Sequence, residues 1–183
     1  MLISAEVLFS ALEVPYLIIL GIDPGYAIVG YGIVSYEGNR FVPLKYGAIT
    51  TPADMPFIER LDKIFNDMSN IFTEYNIDAM SIEKLFFNTN TKTAIDVAQA
   101  RGVILLSAER MHVPVYEYTP LQVKQAVTGY GRAEKKQIME MTRIMLGLKS
   151  VPKPDDTADA LALAVCHAHC TGSLIGKLNS KMR

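Results

Sequence analysis

Blocks of like charge, Ser/Pro/Gly tracts and internal repeats are all missing from this 183-residue chain. Their absence excludes a disordered tail, a long linker and a repeat array. No apolar run is long enough to span a bilayer. The N-terminal stretch MLISAEVLFSALEVPYLIIL is apolar in places, but it carries Glu6 and Glu13 and lacks the basic start of a signal peptide. A cytoplasmic protein without a membrane partner is the expectation. Cysteine is scarce too: Cys166 and Cys170, four apart in an apolar helical stretch, are expected to share a face and pack in the core. With His167 and His169 nearby they bring metal binding to mind, yet two cysteines on one helix leave a coordination shell incomplete. What is present is apolar: 50% of residues are hydrophobic and 20% charged. That is enough for one substantial core and too little chain for two comfortable domains.

The net charge of −1 argues by itself against a polyanionic partner, but it averages over a segregated chain. Residues 1–83 carry eleven acids and four bases, residues 84–153 five acids and eleven bases, and residues 154–183 three of each. A polyanion could dock on the middle piece while the acids serve another purpose.

The run Leu17 to Asp23 (LIILGID) is continuously apolar until its final acid, the pattern of a central strand buried on both faces, and Pro24-Gly25 ends it. Ile28 to Ser35 and Arg40 to Ile49, joined at Glu37-Gly38-Asn39, complete a predicted antiparallel meander. Phe57, Leu61, Ile64, Met68, Ile71 and Phe72 recur at helical spacing, so a helix is predicted from about Pro56 to Tyr75. A fourth strand (Ala79 to Lys84) follows, then a helix from about Thr93 to Arg110, a strand from Val113 to Tyr118, a short helix from Pro120, one from about Ala133 to Leu146, and a last one after Pro154. The predicted order, βββαβαβα with inserted helices, describes an α/β protein: a mixed sheet flanked by α-helices.

Four acids fall where such a fold can gather them. Asp23 ends the first strand, Glu83 ends the fourth, and Asp156 and Asp159 open the last helix on one face. If the two strands are neighbours, a helix crossing their C-terminal ends assembles a carboxylate cluster, which repels itself unless cations fill it. Hard oxygen ligands with room for water select Mg²⁺ or Mn²⁺, and two such ions can drive phosphodiester hydrolysis. Each acid also has a plainer reading, as a turn residue, a strand-end surface acid or a helix cap. Glu83 sits in MSIEKLFF, however, where an unpaired carboxylate is costly. Asp155 shares a face with Asp159 as well, but it directly follows Pro154 and suits a capping position, so Asp156 is preferred.

The segments GIDPG with GYG shortly after, IEKLFF, QARG (Gln99 to Gly102), YTPLQVKQAVTGYGRAEKKQ and DDTADALALA occur in an order and spacing that resemble the RuvC family of Holliday-junction resolvases, from about Leu17 to Cys170. The resemblance implies a ribonuclease H-like fold over residues 15–183. It places the catalytic, metal-binding acids on Asp23, Glu83, Asp156 and Asp159. The aromatic wedge that stacks at the junction crossover falls on Phe86, a DNA-contacting amide on Asn90 and backbone-binding lysines on Lys124 and Lys135. The resemblance further implies two Mg²⁺ ions per site with Mn²⁺ able to substitute, a four-way DNA junction as substrate, a homodimer nicking opposite strands symmetrically to leave 5′-phosphate and 3′-hydroxyl ends, and partnership with the RuvA and RuvB branch-migration proteins. Residues 1–14 have no counterpart in the family pattern. They are an extension of unknown role in which Val7, Leu8, Leu12 and Val14 lie on or near one apolar helical face.

Three other readings compete. A strand ending in GID before a glycine turn also resembles the first phosphate loop of the actin and sugar-kinase superfamily, but those proteins need two such domains and a second Gly-rich loop. A non-cutting junction binder would leave four carboxylates beside bound phosphate unexplained. A nuclease for RNA–DNA hybrids would share the carboxylate chemistry, and only recognition residues such as Phe86 and the lysines separate it.

Overall fold

The computed structural model describes residues 16–85 and 91–181, the last ten of them and residues 91–92 through their backbone. Its elements are β1 (Leu17–Asp23), β2 (Ile28–Glu37), β3 (Arg40–Thr50), α1 (Phe57–Glu74), β4 (Ala79–Glu83), α2 (Thr91–Arg110), β5 (Val115–Tyr118), α3 (Pro120–Thr128), α4 (Lys135–Met145) and α5 (Asp155–Lys181). The expected meander is present: β1, β2 and β3 pair antiparallel, and Gly38 and Asn39, both at positive φ, close the β2–β3 hairpin. β4 then pairs parallel to β1 and β5 parallel to β4, giving the sheet order β3-β2-β1-β4-β5.

β1 is therefore a central strand, and its two kinds of neighbour explain its unbroken hydrophobicity. Leu20 and Ile22 face a core shared with Ile33, Met80 and Ile82 of the sheet, Ile64 and Met68 of α1, and Ile104 of α2. Ile19, one residue out of phase, faces the opposite core with Val34, Ile138 of α4, and Leu161 and Val165 of α5. Each such fully buried aliphatic side chain contributes about 2 kcal/mol relative to exposure, so one unbroken run anchors both layers.

β5 starts two residues later than expected. His112 adopts a positive φ, and the Val113 amide turns back to donate to the Ala108 carbonyl, closing α2. The chain thus reaches the sheet at Pro114, whose carbonyl accepts from the Met80 amide. The pairing expected of the cysteines is half right. Cys166 is buried, but Cys170, one turn further along α5, is exposed.

Candidate active site

Strand alternation sorts β1, β2 and β4 into two faces. The α5 side carries Ile19, Gly21 and Asp23 on β1, Gly30, Gly32 and Val34 on β2, and Ser81 and Glu83 on β4, since the intervening residues belong to the opposite core. Between the bulky residues lies a trough of small ones, and α5 sinks into it. A Cβ on Gly21 would stand 1.9 Å from the Ala160 carbonyl oxygen, and one on Gly30 would stand 2.0 Å from that of Asp156. Gly32 would collide in the same way with the Leu161 side chain at 2.6 Å. Backbone thus packs on backbone, which only glycine permits. The buried Ser81 hydroxyl donates to the Leu163 carbonyl at 2.7 Å and sets the position of α5 along β4.

This seating makes the site. Gly30 is the cross-strand partner of Asp23, so the Asp156 backbone pressed on Gly30 brings the start of α5 beside the Asp23 carboxylate. Ile22 pairs with Ile82, so the next residues, Asp23 and Glu83, end the two parallel strands side by side. Asp159, one turn into α5, closes the group. The four acids expected from the sequence are thereby electrostatically coupled around Asp23. Its carboxyl is raised from 3.8 to about 8, by burial first and then by the charges of Asp159, Glu83 and Asp156. Glu83 is also raised, by burial and then by Asp159. Asp155 points elsewhere: its carboxylate is held by Lys153 at 2.6 Å, with Lys135 at 3.7 Å, and it is absent from the charges acting on Asp23. Asp156, by contrast, is among the charges that act on Asp23.

Among the described residues, no three carboxylate, imidazole or thiol side chains form a ready-made metal cage. The donor set nevertheless fits a hard cation. It is all oxygen, it is crowded with like charge, and it already holds one cation of its own. Lys135, expected on the DNA-binding surface, places its Nζ 2.8 Å from Asp159 Oδ2, and the Asp159 partner raises its pKa. Lys124, Lys135, Glu83 and Asp159 together line one cleft of about 210 Å³, so both expected lysines stand beside the acids. Phe86 and Asn90 fall in 86–90, outside the described residues.

Gly21, Gly30 and Gly32 stand in the GIDPG and GYG segments, but neither their seating of α5 nor Ser81 was read from the sequence. Their signal was there: Gly21 in an apolar strand, Gly30 and Gly32 at period two, and an alanine-rich helix after the paired aspartates. His167, considered as a ligand, is instead a buried core residue. Its Nδ1 meets the Tyr118 hydroxyl at 2.8 Å, Tyr116 stacks on its ring, and burial lowers its pKa to about 4.

Residues 19–167 match the family model of the crossover junction endodeoxyribonuclease RuvC. The chain belongs to the RuvC family. A family member from Alkaliphilus oremlandii is 62% identical over 153 residues, 84% of this chain and 93% of its own. The structure of Thermus thermophilus RuvC superposes with a TM-score of 0.80 at 36% identity, covering 86% of this chain and 96% of that one. T. thermophilus RuvC in complex with a Holliday junction substrate gives 0.78 at 33% identity over the same shares. The mixed sheet flanked by helices is the ribonuclease H-like fold of these resolvases, and the enzyme class is crossover junction endodeoxyribonuclease.

Proposed function

We propose that this protein is a Holliday-junction resolvase, a metal-dependent endonuclease that places paired, symmetric nicks in four-way DNA junctions during recombination and repair. The observation that carries the reading is the junction of opposites in one cleft: four acids gathered at the ends of β1, β4 and the start of α5, with Lys124 and Lys135 on the adjoining wall. Family membership supplies the substrate class.

Asp23, Glu83, Asp156 and Asp159 would hold the divalent cations, two Mg²⁺ per site with Mn²⁺ able to substitute. Bound there, the metal supplies activation of the attacking water and stabilisation of the departing 3′-oxygen, leaving 5′-phosphate and 3′-hydroxyl ends. Asp23 is the central ligand because it is the acid most deeply embedded among the others. Lys124 and Lys135 receive phosphates of the junction arms, a contact that is electrostatic and salt-sensitive. Phe86 stacks at the opened crossover and Asn90 contacts DNA beside it, roles that rest on the family resemblance.

Paired nicking requires two sites, and a homodimer supplies them. In its support, α2 leaves Ile95 65% and Leu106 53% exposed, with Gly102 between them open enough to admit a close partner. RuvA and RuvB are the proposed branch-migration partners, and the cytoplasm the proposed location. Among the described residues no helix is long and apolar enough to cross a membrane. Residues 15–183 would form the resolvase domain and 1–14 an extension.

The direct test is a nicking assay on end-labelled DNA, comparing a four-way junction, linear duplex and RNA–DNA hybrid in Mg²⁺ and in EDTA. Symmetric Mg²⁺-dependent cuts confined to the junction are expected. Binding without cutting refutes the enzyme, and preferential hybrid cleavage refutes the substrate.

A further inference from the structure

Lys135 is the first residue of α4, and its side chain is 56% exposed, yet its ammonium turns back onto Asp159 at 2.8 Å. An ammonium held against a carboxylate cannot serve a DNA phosphate at full strength at the same time. The backbone beneath it is pinned: at the start of α4 the Glu134 amide donates to Gln137 Oε1 at 2.9 Å, and the Gln137 amide donates to the Glu134 carbonyl at 3.0 Å. Only the flexible four-carbon stem of Lys135 needs to move, and the cleft it lines also contains Lys124 and the space beside Glu83. We propose that Lys135 is an exchangeable counter-ion of the acid cluster, holding Asp159 while no divalent cation is bound and passing to a junction phosphate when a cation displaces it. The proposal rests on the cation-dependent reading of the site given above. It makes cation loading and phosphate capture two halves of one exchange, and by linkage each favours the other.

The test measures Mn²⁺ binding without DNA, from the loss of the free-ion EPR signal. Lys135→Met keeps the stem and removes the charge, and is expected to bind Mn²⁺ about five- to tenfold more tightly than the wild type. Lys153→Met, which removes the other lysine at Asp155 and leaves Asp159 untouched, should stay within about twofold. Unchanged affinity in Lys135→Met, or equal tightening in Lys153→Met, overturns the exchange. Lys135→Gln gives a second reading should the methionine variant fold poorly.

Asp23→Asn separates the two levels of the argument. If the wild type binds Mn²⁺ no better than Asp23→Asn, the cation site itself is wrong. If Asp23→Asn loses Mn²⁺ while Lys135→Met equals the wild type, the exchange alone fails. Junction binding supplies the second half: the affinity lost through Lys135→Met should be at least about fivefold greater in Ca²⁺, which takes the same oxygen ligands, than in EDTA. Equal losses in the two conditions overturn the transfer to phosphate.

Discussion

Replacing Asp23 by Asn is expected to stabilise the metal-free protein while destroying its activity. In the folded chain the Asp23 carboxyl titrates near 8 rather than at 3.8, because burial and three neighbouring carboxylates penalise its charge. The folded state therefore holds this proton more tightly than the unfolded chain does. Stability from this group is complete below the unfolded value, declines as pH rises from 3.8, and is fully lost above about 8. Moving this carboxyl from 3.8 to about 8 corresponds to an upper limit of about 6 kcal/mol, which water entry and local relaxation reduce to about 2–3 kcal/mol. For a domain of this size that is a rise in Tm of about 5–10 °C for Asp23→Asn in EDTA at pH 8. Calorimetry of both proteins between pH 5 and 9 gives the decisive quantity, the difference in Tm. It should widen with pH, level off above pH 8, and shrink or reverse when Mg²⁺ is added, since only the wild type gains a strong ligand. A difference that is flat with pH, or an Asp23→Asn protein less stable than wild type at pH 8 in EDTA, would refute the electrostatic account of the cluster.

Further outcomes follow from the same structure. Asp23→Asn should abolish junction cleavage with little loss of junction binding, whereas Lys124→Ala should weaken binding and lower the slope of log K against log salt by about one, measured by filter binding or fluorescence anisotropy. Gly30→Ala drives a methyl into the Asp156 carbonyl; it should cost about 2–4 kcal/mol in urea denaturation and remove most cleavage, because α5 must lift and carry two acids with it. Ser81→Ala removes the hydroxyl that donates to the Leu163 carbonyl, a carbonyl that keeps its helical partner, with an expected loss of about 1 kcal/mol and a reduced kcat at nearly unchanged KM. His167 is neutral in the folded protein down to about pH 4, so its contribution to stability is complete above 6.5 and lost as pH falls toward 4; His167→Gln should flatten that part of the acid unfolding curve.

The elements and the four acids could be read from the sequence because their signals are local. LIILGID declares a strand buried on both faces through its unbroken apolar run, and α1 declares one wet face through its period. Asp23 and Glu83 are conspicuous because each is an acid closing an apolar strand. The adjacency of β1 and β4 stood as a condition in the sequence, and the pairing of Ile22 with Ile82 meets it.

Tertiary structure decided the rest, wherever a property depends on residues far apart in the chain. The seating role of Gly21, Gly30 and Ser81 arises only where α5, some 80 to 140 residues later, presses on them. That Asp156 acts on the charge of Asp23 while Asp155 pairs with Lys153 is visible only in the folded chain. Cys170 keeps helical register with Cys166 but escapes burial, because periodicity gives a residue's direction and not its depth. Most of all, Lys135 enters from the family resemblance as a DNA-backbone contact and stands in space as the partner of Asp159. Local pattern records what a residue is and which way it points, while charge pairing depends on distance, and only the folded chain sets that.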